Sequence, residues 1–461
     1  MSEIFHDSRG LAMTAANAEA VRSYDAFVTR FMAHGADAAP RLKTVTDADP
    51  DLLLGHCARG FCALILGRQE LRGAARESLA VARRVLAERG GTARERIYVE
   101  ALAIFCDGWF ASAANRLADA LDRWPLDGYA AKLVHGIRFM IGDPAGMRRS
   151  TTALLPAWTD DVPGAGYLNG CHAFGLEETG DLADAERIGC HALDLAHDDA
   201  WAFHAVAHVY EARDDARGGL DWLDSGAADI AGTGNLAYHI AWHRALFLLD
   251  FNEFDGVLSV YDEKVRANRT DDFRDLTNGI SLLVRLQAEG VDVGHRWDEL
   301  VEKCVRRAED TTLGFAALHY LMALVANDRW PEADRMIAAM QRATRAAGDQ
   351  APVFASAALP YGQAYCAGAR NPADLGTARA LAATLDALPM LGGSHAQRDV
   401  FVRQLIDRTA AAGADELCRR LLQVRLARRP VNAWALGRLA RLQDAAGDAA
   451  FPGRTVPHAA E

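Results

Sequence analysis

Two pairs of histidines carry the chemistry that this sequence offers. His204 and His208 stand four apart in WAFHAVAHVYE (Trp201 to Glu211), and His239 and His243 stand four apart in YHIAWH (Tyr238 to His243). Side chains four apart on a helix stack on one face, and Glu211 continues the first face by three residues. The step from each histidine of the first pair to its counterpart is 35 residues. Equivalent helices of adjacent repeats therefore carry them. Packed helices lie about 8–10 Å apart, so four imidazoles and a carboxylate are expected to converge.

Imidazoles at this spacing grip a transition metal, and mixed histidine and carboxylate donors suit Zn, Mn or Fe. No cofactor follows from a motif, so a transition metal bound by His204, His208, His239 and His243 is the candidate. The same rings titrate near neutral pH and suit general acid–base work. Glu211 would then orient an imidazole or act as base, and Tyr238 and Trp242 would wall the pocket. Asp275 and Asn278 continue the row at 36 and 35 residues after His239 and His243, Glu177 precedes Glu211 by 34, and His319 lies two repeats on. A plainer reading stands beside this one. In the repeat register the four histidines occupy helix-A positions that normally pack against helix B, where hydrogen-bonded core histidines also fit. Glu177 and Glu178 read as a solvated helix end. The metalloprotease HExxH, the P-loop, GxGxxG after a strand and the GxSxG elbow are all missing.

The elements that must position these residues are helices. Apolar periodicity predicts helices over 51–67, 73–88, 93–107 and 109–124, the last stopped by Pro125. Gly180-Asp181, Asp214-Asp215, Asn327-Asp328 and Gly447-Asp448 read as turns between helices. Tyr167, Trp201 and Leu236 each open a helix at steps of 34 and 35, the period of tetratricopeptide helix–turn–helix units. Strand-like alternation is not evident. The sequence predicts an all-α solenoid with an irregular or helical segment over 1–45, the repeat array over 46–450 and a mobile tail over 451–461.

Composition narrows the function classes. Half of the 461 residues are apolar and 24% are charged, as in a folded chain, and the net charge is −12. That sign disfavours nucleic acid and anionic lipid as partners. Eight scattered cysteines without a CxxC pair suit reduced thiols. With neither a secretion signal at Met1 nor a run of about 18 apolar residues, the expected setting is cytoplasmic and free of membrane.

Several segments resemble the tetratricopeptide repeat protein 38 family: HAVAHVYE (204–211), YHIAWHRALFLLD (238–250), VLSVYD (257–262), SLLVRLQAEGVDVGHRW (281–297) and HDSRGLAMTA (6–15). The resemblance runs over most of the chain and implies a repeat fold without implying a reaction. Arg244 and Leu248 depart from the pattern WHLALFHLD, which leaves this chain one histidine fewer. The expected function is to bind a protein partner or small ligand in the superhelix. The alternative is a metal-dependent or acid–base enzyme built on the histidines.

Overall fold

The computed structural model describes residues 3–226, 230 and 232–450, so the predicted 451–461 tail lies outside the described residues. Among the described residues, twenty-four α-helices form a tetratricopeptide-like solenoid. The predicted early helices are found at Leu53–Ile65, Arg72–Arg89, Ala93–Cys106 and Phe110–Leu121. Their ends follow local chemistry. Thr92 accepts from the Glu95 amide while the Glu95 carboxylate accepts from the Thr92 amide, which satisfies two orphan donors at one helix start.

The absence of strands is corrected at the N-terminus, where Glu3–His6 pairs antiparallel with Ala12–Ala15. The turn between them is fixed by the Asp7 carboxylate, which accepts from the amides of Arg9 and Leu11, and by Gly10 at φ 75°. Four-residue strands are too short for alternation to register. Two helices, Ala18–Met32 and Ala38–Ala48, follow.

Four inner helices position the site: α1 (Ala165–Glu178), α2 (Ala200–Ala212), α3 (Leu236–Asp250) and α4 (Phe273–Ala288). Their first residues, 165, 200, 236 and 273, advance by 35, 36 and 37. The turn after α1, α2 and α3 is made by a residue in the left-handed region: Gly180 at φ 88°, Asp214 at 56° and Asn252 at 58°. Glycine and the short Asx side chains adopt that region most readily. Asp199 caps α2 by accepting from the Trp201 amide, and Asp272 caps α4 through Arg274.

Within a repeat, the outer helix contacts the inner one through phenylalanines. Phe203 stacks on Trp222 with centroids 5.1 Å apart, and Phe247 lies over Gly219, where a Cβ would sit 2.4 Å from the ring. Burying each ring contributes ~1.5–3 kcal/mol. The histidines therefore do not face helix B, as the plainer reading expected. Phe203 and Phe247 take that face and leave the histidines between successive inner helices.

The superhelix closes on itself. A fifth inner helix, α5 (His395–Ala411), packs against α4. The His395 amide donates to the Glu178 carboxylate at 3.0 Å, Gly393 N–H to the Phe139 carbonyl at 3.2 Å, and Asp349 N–H to the Gly108 carbonyl at 3.0 Å. Arg429 reaches back to Asp214, Glu211 and Asp250. Among the described residues no helix is long and apolar enough to cross a membrane.

Candidate metal centre

The register of α2 and α3 brings the four predicted histidines to one point. One ring nitrogen from each of His204, His208, His239 and His243 lies within 4.8 Å of the other three. All four residues are buried. His204 Nε2 is 3.0 Å from His208 Nε2 and 3.2 Å from His243 Nε2. Phe174 stacks against His204, Trp201 packs on it at a tilt, and Trp242 lies over His239 at 5.1 Å between centroids, anchored by its indole N–H to Ser281 Oγ at 2.9 Å.

The outer ring nitrogens are held by oxygen. His243 Nδ1–H donates to Glu211 Oε2 at 3.1 Å, and His239 Nδ1–H donates to Asn278 Oδ1 at 3.1 Å. A neutral imidazole carries one proton, so both rings turn a bare nitrogen inward. His208 has Glu177 Oε2 at 3.4 Å from its Nδ1. His204 Nε2 then stands between two inward nitrogens. One proton there would have to serve both neighbours, while the buried His204 Nδ1 has no partner. Such crowding of lone pairs is unfavourable without a cation. Carboxylate or amide behind histidine, with histidine behind a shared point, is the outer-shell pattern that orients metal ligands.

A proton does not readily take the cation's place. Burial, reinforced by the neighbouring imidazoles, holds His204 and His239 well below the usual histidine range. Burial also depresses His243, to about 4, against the opposing pull of Glu211. Glu211 resists burial through the hydrogen bond from His243 and the charge of Arg429, and its carboxyl stays below the usual carboxylate range.

A second cluster adjoins the first. Glu177, Glu178, His208 and His395 each bring a ligand atom within 4.8 Å of the others. His395 Nδ1 lies 2.9 Å from Glu178 Oε1, and its Nε2 lies 3.4 Å from Glu177 Oε1. Burial disfavours a charged His395, but the two carboxylates outweigh it and raise its pKa to about 9. The expectation that Glu177 and Glu178 line a solvated helix end is thus corrected. Both side chains are buried under α5. His395 itself was not foreseen, because nothing local marks a lone histidine after Ser394 as a neighbour of residue 208.

Three further expectations are corrected. Tyr238 turns outward to Asn268 and is half-buried, so it does not wall the histidines. Asp275 hydrogen-bonds Thr270 and faces Asp272 and Arg274, and burial and the Asp272 charge raise its carboxyl to about 6. His319 donates through Nδ1 to the Phe315 carbonyl at 2.9 Å and packs on Phe401, apart from the cluster. A cavity of about 140 Å³ elsewhere is bordered by Arg68, Cys106, Thr312 and Gln350 and by no histidine.

No family model matches the chain. Among solved structures it is similar to a monomeric IFIT1 mutant with Gppp-AAAA, at 14% identity over 96% of this chain and 89% of that one, with a TM-score of 0.37. Yeast Tom70 matches at 11% identity over 94% and 89%, with a TM-score of 0.37. A chain of the Naa15/Naa10 complex bound to HypK-THB matches at 13% identity over 92% and 66%, with a TM-score of 0.25. Similarity at this level does not select a ligand. The expected exclusion of nucleic acid rests on net charge alone.

Proposed function

We propose that this chain is a metal-binding repeat protein of the tetratricopeptide repeat protein 38 family, with one first-row transition ion, Zn²⁺ foremost, held by His204, His208, His239 and His243. The observation that carries this reading is the meeting of His204, His208 and His243 through their Nε2 atoms at 3.0 and 3.2 Å, while Glu211 fixes the outer proton of His243. Four neutral nitrogen donors suit Zn²⁺ or Cu²⁺ better than Mg²⁺ or Ca²⁺. The family assignment rests on the motifs that surround these ligands.

Two observations favour a metal over the other expected roles. Acid–base work needs rings that titrate near pH 7, and burial keeps His204, His239 and His243 neutral there. A partner bound in the superhelical groove needs an open inner face, and α5 with Arg429 fills it beside the histidines.

Elemental analysis of protein purified without a histidine tag tests the reading. At least one equivalent of a transition metal per chain is expected, removable by chelation with a fall in thermal midpoint that added Zn²⁺ restores. Metal-free protein whose midpoint ignores added Zn²⁺ would overturn it.

A further inference from the structure

The ring of His208 belongs to both clusters. Its Nε2 faces His204 at 3.0 Å, and its Nδ1 faces Glu177 at 3.4 Å. On the Nδ1 side, four groups from two distant parts of the chain converge: Glu177 and Glu178 at the end of α1, His208 on α2, and His395 at the first turn of α5. Glu177 is 2% exposed, yet neither carboxylate oxygen makes a hydrogen bond, and neither does His208 Nδ1. Glu177 Oε1 lies 3.4 Å from His395 Nε2, within ion-pair range but without a hydrogen bond. Three atoms without a hydrogen bond face one small volume, and a metal ion there takes over the role that the proton on His395 plays between the two carboxylates.

We propose that Glu177, Glu178, His208 and His395 form a second transition-metal site, coupled to the four-histidine centre by the ring of His208 as a bridge. The bridge rests on the four-histidine reading; the second site stands on its own donors. The two sites differ in chemistry. The first offers neutral nitrogen donors. The second offers two carboxylates and suits a harder ion such as Zn²⁺, Mn²⁺ or Fe²⁺. When both nitrogens of His208 bind metal, the ring gives up its remaining proton to water and becomes an imidazolate, and its charge helps to balance the two cations. The sites also differ in access. The side chains of Glu177, Glu178 and His208 are at most 3% exposed, but that of His395 is 31% exposed. The second ion therefore has a route to solvent, and an exchangeable ligand such as water fits there rather than at the first.

The test uses the untagged full chain, stripped with chelator, reloaded with Zn²⁺ and freed of loose metal by gel filtration. Two equivalents are expected in the wild type, one in Glu178→Gln and in His395→Gln, and one in a His239→Asn/His243→Asn double variant. A single equivalent that survives His395→Gln but not the double variant overturns the second site and leaves the first. A single equivalent with the reverse pattern overturns the four-histidine centre and the bridge. The bridge has its own readout, which needs no variant. With two Cu²⁺ bound, imidazolate coupling should make the paramagnetic resonance signal integrate to far less than the copper present. A signal equal to the copper content would overturn the bridge.

Discussion

His243→Asn should lower the affinity of the four-histidine centre for Zn²⁺ by at least about 100-fold while leaving the chelator-treated protein folded. Substitutions merely behind a ligand weaken metal binding about 10- to 100-fold, and this one removes the ligand itself. Asparagine keeps a donor for Glu211, which otherwise retains Arg429 at 3.7 Å, so no buried carboxylate is stranded. An ion at about 100 times its dissociation constant stabilises the wild type by ~2.7 kcal/mol. The rise in thermal midpoint on adding Zn²⁺ should therefore shrink sharply in the variant, with the chelated midpoints close together. An unchanged Zn²⁺ response would remove His243 from the ligand set.

Arg429→Met should destabilise the protein by about 3–5 kcal/mol, because it leaves buried carboxylates without their counter-charge. Arg429 is 13% exposed at its side chain and sits among Asp214, Glu211 and Asp250. These pairs bind the C-terminal repeats to the turn after α2, so the change should also loosen α5 from Glu178. Arg342→Met supplies the control. Its pair with Glu309 is mostly exposed, and such pairs contribute roughly 0–1 kcal/mol. Urea unfolding of the two variants should separate them by several kcal/mol. Equal stability would mean that the closure of the superhelix does not depend on Arg429.

The parts of the site that were legible in the sequence are those set by local period. A 35-residue step between two i, i+4 pairs places equivalent faces side by side, and α2 and α3 keep that step to within a residue. Glu211 and Asn278 follow from the same register and reach His243 and His239. Asp275 follows from the same arithmetic and Tyr238 from its place next to His239, but both lie on other faces of their helices, since adjacent positions differ by about 100°. What stayed hidden depends on contacts between distant segments. His395 meets Glu178 across 217 residues of chain through its amide. The length and curvature of the whole superhelix decide that meeting, and no short motif encodes it. The burial of Glu177 and Glu178 was hidden for the same reason, because α5 covers them.

The metal ion belongs where the imidazoles of α2 and α3 meet. Anomalous diffraction from crystals of untagged protein, recorded on both sides of the zinc absorption edge, locates such an ion directly. An edge-dependent peak is expected among the inward nitrogens of His204, His208, His239 and His243. Continuous density for the four rings in their present contacts, with no peak between them in Zn²⁺-soaked crystals, would contradict it.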